Sequence, residues 1–474
     1  MTYVDVHVWE DDPGAPPPVL SPITRPMPDL QNSKPRVKID DRVPGTFDSS
    51  DYALRYWSAA DALRRSCDWA TEATSEFPLS WHRSIGRELT AYLDTGERLN
   101  ALYTRGHGLP AGIHFYHGSS GNQSVYSCES PDMVSHETGH AILDAINARL
   151  WNVADPEVMA FHEAFGDISA VLSAVRVDSF CTSVIFETDG KLNHSSRLSR
   201  VAEQLAWAVR RVRPHSVEQT CTRDLANEFF YRDPYSLPPR APTSQLCNEP
   251  HSFSRVFSAA FLDALEAMFY PKTVADLQDV AKDVGKLLVT AALATPVSYH
   301  YYADLAAHMI AVDVMRYDGQ NGLALRGAFA RRGILSPSQN SKLSSDLLNA
   351  KIAEISTSGD SNPPDLQMII IPGSRYGLSE DFEIPIPSES PRFAELFDEA
   401  PAGSQREELA YTYVDSLFSQ GQIYVSKDLL TDKSLASERT GAHTHEISHS
   451  LEDGQIGLNR VAFEHAPPPP RICP

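Results

Sequence analysis

Residues 130–172 constrain this chain more than any other stretch, because two helices open there on strong start signals. The first, SPDMVSHETGHAILDAINARL at 130–150, begins with Ser130 at the N-cap and Pro131 at the first helical position. Asp132 complements the positive end of that helix. The second, DPEVMAFHEAFGDISAVL at 155–172, begins in the same way with Asp155 and Pro156. These starts fix the phase of each helix. His136 and His140 fall one turn apart on one face, and so do Glu163 and Asp167.

That phasing points to a metal. Imidazoles on adjacent turns, here His136 and His140, reach a single tetrahedral zinc ion. Glu137 is offset by about 100° around the axis, so it misses the metal and reaches a water beside it. Ala160, Ala164, Ile168, Ala170 and Val171 make much of the second helix apolar, and carboxylates on such a helix require partners once buried. Zinc supplies one for Glu163, and Asp167 can accept the other N–H of a ligating imidazole.

HETGH at 136–140 and EAFGD at 163–167 resemble the thermolysin-like gluzincins, which combine an HExxH helix with an ExxxD helix. The resemblance covers roughly residues 50–335. It implies an α+β, two-lobed zincin with a mixed N-terminal lobe, a mainly helical C-terminal lobe and the site in the cleft between them. It implies one zinc ion on His136, His140 and Glu163, Glu137 as catalytic base, and Asp167 supporting a ligating histidine. His251, in EPHSFSRVFSAAFLDAL at 249–265, corresponds to a histidine that stabilises the oxyanion, with Glu249 to orient it. IHFYHG at 113–118 looks like the family's aromatic edge strand, which pairs with substrate backbone, so that His114, Phe115 and Tyr116 would line the cleft. Arg223, in TRDLANEF, matches a substrate-binding arginine. The implied activity is hydrolysis of internal bonds in a peptide or protein substrate.

The chain also departs from the family. The tyrosine that assists the oxyanion has no clear equivalent, and Trp151 falls near its place. The link between His140 and Glu163 is slightly longer. Neither a long propeptide nor the clustered carboxylates of a calcium site is evident, so zinc is the one cofactor expected. Two other functions compete: a catalytically silent, zinc-stabilised binding or scaffold protein, and an exopeptidase.

Composition shifts divide the chain. Residues 1–48 read as a Pro-rich arm or linker, 49–150 as the N-terminal lobe carrying the zinc helix, and 151–357 as the helical lobe. Residues 364–465 read as a small α+β domain and 466–474 as a Pro-rich tail; the arm and the small domain are candidates to dock a partner. Apolar runs at 366–371, 382–386 and 422–425 suggest strands, and 404–419 a helix. HEISH at 445–449 spells a second HExxH but alternates as a strand running toward a turn at Asp453-Gly454. In a strand its two histidines would stand about 13 Å apart, too far to share one ion.

The 62 acidic against 41 basic residues give a formal charge of −21, which argues against nucleic acid or an anionic membrane as partner. No apolar run is long enough to span a bilayer. The opening residues MTYVDVHVWEDDPGAPPP lack a basic start and apolar stretch, so the expectation is a cytoplasmic protein, or one exported by a dedicated non-classical route. The six cysteines form no CxxC pair and are expected to be buried free thiols.

Overall fold

A computed structural model of the chain describes residues 4–16, 18, 20–45, 50–214, 216–343, 366–388, 403–436, 443–449 and 455–465. The fold is mixed α+β. Strands β1 (Asp5–Val8), β2 (Ile23–Pro26) and β3 (Val37–Ile39) precede helix α1 (Asp51–Ala73). Strands β4 (Leu89–Tyr92), β5 (Ala101–Thr104), β6 (Gly112–Phe115), β7 (His117–Ser120) and β8 (Gln123–Tyr126) lead to α2 (Pro131–Ile146) and α3 (Pro156–Ala174). Then come α4 (Asp178–Thr188), β9 (Arg200–Val201), α5 (Glu203–Val212), β10 (Arg223–Asp224) and the helices α6 (Pro250–Met268), α7 (Val274–Ala294), α8 (Tyr301–Tyr317), α9 (Gly322–Arg331) and α10 (Pro337–Lys342). The remaining elements are β11 (Leu366–Ile371), β12 (Phe382–Pro387), α11 (Gly403–Gln420), β13 (Ile423–Val425), β14 (His445–His449), β15 (Ile456–Arg460) and β16 (Ala462–Glu464).

The caps read from sequence are formed. Ser130 accepts the Met133 N–H at 3.4 Å, and Asp155 Oδ1 accepts those of Glu157 and Val158 at 2.9 and 3.1 Å. Every residue of α3 is buried, as a helix apolar nearly all round must be. It packs against α2 on one side and α6 on another, so the polar residues it shares with α2 lie in the protein interior. Glycines allow the contact between α2 and α3. A Cβ on Gly139 would stand 2.5 Å from Ser169 Oγ, and one on Gly166 would stand 2.6 Å from the His136 ring.

One five-stranded sheet has the order β16-β5-β6-β4-β3, the other β11-β12-β15-β14-β13. Four sequence expectations change here. Residues 4–45 are not a free arm: β3 pairs in parallel with β4, Trp9 N donates to Ser58 Oγ at 2.8 Å, and Gln204 N donates to Asp12 Oδ1 at 2.9 Å. The strand β6, within IHFYHG, is not an edge, because β5 and β4 flank it on both sides. The expectation of a helical stretch over 151–357 gives way locally to the short β9, so that α5 starts only at Glu203. Finally, the α+β unit expected over 364–465 does not keep its last strand, since β16 crosses into the first sheet and pairs with β5. The unit is also tied down at Ala154 N to Pro385 O, 2.8 Å, and Arg460 N to Asn152 Oδ1, 2.9 Å.

HEISH is strand β14, paired antiparallel with β15. The turn at Asp453-Gly454, the boundary near 357–364 and the tail 466–474 lie outside the described residues. Cys67, Cys128, Cys181, Cys221 and Cys247 are buried and free; Cys473 lies outside the described residues. Among the described residues no single helix is long and apolar enough to cross a membrane.

Candidate functional site

The two capped helices bring His136, His140 and Glu163 together, with one ligand atom from each lying within 4.8 Å of the others. His136 Nε2 is 3.4 Å and His140 Nε2 3.9 Å from Glu163 Oε2. All three side chains are buried; among the described residues neither imidazole Nε2 has a hydrogen-bond partner, and Glu163 Oε2 has only its ion pair with His251 at 3.1 Å. Three electron-pair donors facing one another in the protein interior are costly unless a cation fills the space between them. The group can therefore hold a metal ion.

The surroundings orient the ligands. His136 Nδ1 meets Asp167 Oδ1 at 2.9 Å, which turns Nε2 toward Glu163. Asp167 is itself held by both ends of Arg223, Nε to Oδ2 at 2.9 Å and Nη2 to Oδ1 at 2.7 Å. Burial opposes ionisation of Asp167, but Arg223 and His136 outweigh it and hold the carboxyl below the usual range. Arg223 was expected to bind substrate; it orients Asp167 and also extends Nη1 to the His465 carbonyl at 3.1 Å.

Glu163 behaves similarly. Burial would raise its pKa, but His251, His140 and His136 outweigh this and bring it down to about 2, so its carboxylate is charged. Glu137, one position from His136, is buried with both oxygens unpartnered, and burial pushes it up to about 8. A carboxyl poised near neutrality can take and return a proton. Burial drives His140 well below its ordinary pKa, leaving it neutral, the form that ligates metals.

His251 stands at the start of α6, in the interval set by the Glu249 cap and Pro250. Its Nδ1 meets Glu249 Oε1 at 2.5 Å, and its Nε2 lies 3.1 Å from Glu163 Oε2 and 2.6 Å from the Glu464 carbonyl. Burial disfavours the imidazolium, but Glu163 and Glu249 outweigh it and raise the pKa to about 9, so His251 is a cation that donates from both nitrogens. A fixed cation beside the ligand set is suited to stabilising a developing oxyanion.

Other candidates lie elsewhere. Phe115 is in the core, and His114 is enclosed, its ring bonded to Thr95 Oγ1 and the Pro110 carbonyl and stacked on Tyr92. Both are removed from the cleft because β6 is an inner strand. Tyr116, just beyond β6, does border a pocket with Leu102 and Ala462. The outer strands of this sheet are β16 and β3, and β16 lies against β5, whose sequence, ALYT, carries no sign of that pairing. Trp151 directs Nε1 to the Arg460 carbonyl at 3.1 Å rather than to the ligand set. His162 is fully buried, its ring 4.0 Å from that of Phe463. His117 is half-buried and meets Asp94 at 2.7 Å.

Three site features escaped the sequence reading. Gly139 and Gly166 sit inside the two motifs, and close helix contact is the reason for them. His465 is fully buried against His136, its Nδ1 3.9 Å from Glu137 Oε1. A histidine so far along the chain, bordering a Pro-rich run, gave no signal. No protein-family model matches the chain, and no curated protein matches its sequence.

Proposed function

We propose that the chain is a zinc-dependent metallopeptidase of the thermolysin-like kind that hydrolyses internal peptide bonds. The observation that carries this reading is the meeting of His136 Nε2 and His140 Nε2, buried and without hydrogen-bond partners among the described residues, with Glu163 Oε2, and with Glu137 alongside. Two nitrogens and a carboxylate oxygen are a donor set suited to zinc with one coordination position left open. The two-lobed arrangement belongs to the same proposal: β3–β6 on one side, α3 and α6 on the other, and the ligands between them.

His136, His140 and Glu163 would hold the ion, which when bound supplies Lewis-acid activation of water and of the substrate carbonyl. Glu137 accepts the proton of the attacking water and returns it to the departing amine; its carboxyl, raised by burial, suits both transfers. His251, kept charged by Glu163 and Glu249, donates Nε2–H to the carbonyl oxygen as negative charge develops there. Asp167 and Arg223 fix the tautomer and angle of His136. A peptide adds to the side of β5 that β16 covers in the folded chain, and the cation of Arg223 is within reach of a carbonyl one residue beyond the reacting bond.

The test is to load with zinc the purified protein and a variant with Phe463 and Glu464 of β16 replaced by alanine, and to incubate each with unfolded casein, with and without a chelator. Internal cleavage abolished by chelation is expected. Zinc uptake without cleavage would favour a silent scaffold, and cleavage confined to peptides with a free terminus would favour an exopeptidase.

A further inference from the structure

A segment of the chain itself lies across the site. Strand β16 forms the outer edge of the first sheet and covers β5, pairing antiparallel in the register Ala462↔Thr104, Phe463↔Tyr103 and Glu464↔Leu102. The pairing continues at His465, whose N–H donates to the Ala101 carbonyl at 3.0 Å. Two consecutive carbonyls of this segment are then gripped by the two cations that flank the ligand set. The Glu464 oxygen accepts from His251 Nε2 at 2.6 Å, and the His465 oxygen accepts from Arg223 Nη1 at 3.1 Å.

The side chains are equally engaged. The Phe463 ring stacks on those of His140 and His162, with centroids 4.8 and 4.0 Å away. The Glu464 carboxylate accepts from Arg98 Nη2 at 2.8 and 2.7 Å and from Asn100 Nδ2 at 3.2 Å. The His465 ring packs edge-on against His136, 4.6 Å between centroids, with an unpartnered Nδ1 beside Glu137. An extended strand on a sheet edge, with alternate side chains in pockets, is how a groove of this kind reads a peptide.

We propose that Ala462–His465 is an intramolecular pseudosubstrate. It fills the peptide-binding edge with the Glu464–His465 bond where a bond to be hydrolysed would lie, and the folded chain stays latent until the segment is displaced. Which groups act on that bond rests on the metallopeptidase reading above; the groove's ability to bind an extended peptide does not. A tethered occupant acts at an effective concentration on the order of 1 mM, so against a free peptide of about 10 μM affinity it suppresses binding about 100-fold.

The experiment uses the full chain without metal, so that no turnover intervenes. The probe is a fluorescent peptide of the sequence Arg460–His465, blocked at both ends, and the readout is anisotropy. The double variant Phe463→Ala/Glu464→Ala should bind it at least ten-fold more tightly than the unaltered chain. Exchanging the probe's own phenylalanine for alanine should weaken that binding. If circular dichroism shows that the double variant fails to fold, Glu464→Ala alone, which keeps the Phe463 packing, asks the same question. Equal affinity for the unaltered chain and the folded variant overturns the proposal. Casein cleavage by the zinc-loaded double variant, from which the segment is released, reports separately on the peptidase reading, so failure of one is distinguishable from failure of the other.

Discussion

Replacing Gly166 by alanine tests whether the contact between α2 and α3 sets the ligand geometry. In an exposed helix interior, alanine is better than glycine by about 1 kcal/mol. Gly327 in α9 is such a position, exposed and with nothing within 4 Å of an added Cβ, so Gly327→Ala should stabilise by about that amount. At Gly166 the new methyl would stand 2.6 Å from His136 Cε1 and Nδ1. The ring cannot swing aside cheaply, because Nδ1 is bonded to Asp167 and Asp167 to Arg223. Overpacking of this kind costs about 1–3 kcal/mol. The two substitutions, identical in chemistry, should therefore differ by about 1–3 kcal/mol, with Gly166→Ala the less stable. A displaced His136 should also weaken zinc binding about 10–100-fold, the size of effect that loss of an orienting contact has at such sites. Urea unfolding of the metal-free proteins measures the first quantity, and competition with a chelator the second. If Gly166→Ala stabilises as much as Gly327→Ala and binds zinc unchanged, the contact is not what positions His136.

Glu137→Gln should keep zinc affinity, measured by chelator competition, and lose casein cleavage by at least about 100-fold; undiminished turnover removes the base assignment. Asp167→Ala should weaken zinc binding about 10–100-fold, since it frees His136 Nδ1 and leaves Arg223 a buried, unpaired cation; unchanged affinity excludes the orienting role. His251→Ala should lower kcat more than it raises KM in a peptide assay, because its hydrogen bond strengthens as the oxyanion forms; an effect on KM alone would make it a binding residue. Asp12 supplies a pH test away from the site. Burial raises it from its ordinary 3.8 to about 6, so in that interval the folded chain keeps a proton that the unfolded chain has released. This contribution is full below 3.8 and is lost as pH rises through about 6. Asp12→Asn, which retains an oxygen for the Gly14 and Gln204 N–H groups, should flatten that decline and stabilise the metal-free chain by about 1–3 kcal/mol at about pH 8. A decline of unchanged slope in urea unfolding across about pH 4–8 would refute it.

What could be read from the sequence was local and periodic. Ser130-Pro131 and Asp155-Pro156 fixed two helix phases, and phase alone puts His136 with His140 and Glu163 with Asp167. The strand reading of HEISH held for the same reason, since alternation is a local property. Strand order is not local. Which strand of the first sheet is the edge depends on β3, β4 and β16, which come from distant parts of the chain, and nothing in IHFYHG records its neighbours. Arg223 shows the same limit: TRDLANEF offers a cation but not the carboxylate it meets, Asp167, which lies more than fifty positions earlier. The capture of Ala462–His465 by β5 is the most distant of these pairings, and two strands separated by most of the chain carry no periodic mark of each other.

A bare helix pair whose polar groups satisfy one another is the simplest competitor to a metal, and the hydrogen-bond inventory discriminates between them. A proton is the rival occupant. Placed on His136 Nε2, and favoured there by Asp167 and Glu163 against the cost of burial, it would bridge the 3.4 Å to Glu163. It would do nothing for His140, whose two nitrogens are both buried without a partner and whose basicity burial has already reduced. A second proton on His140 would set two imidazolium rings with centroids 4.7 Å apart inside the protein, which their mutual repulsion forbids. One divalent cation answers both histidines and Glu163 at once, and leaves Nδ1 of His136 to Asp167. The pairing of Asp167 with Arg223 then has a reason that a polar helix contact lacks: it holds the proton on His136 Nδ1 and leaves the Nε2 lone pair for a metal bound between the helices.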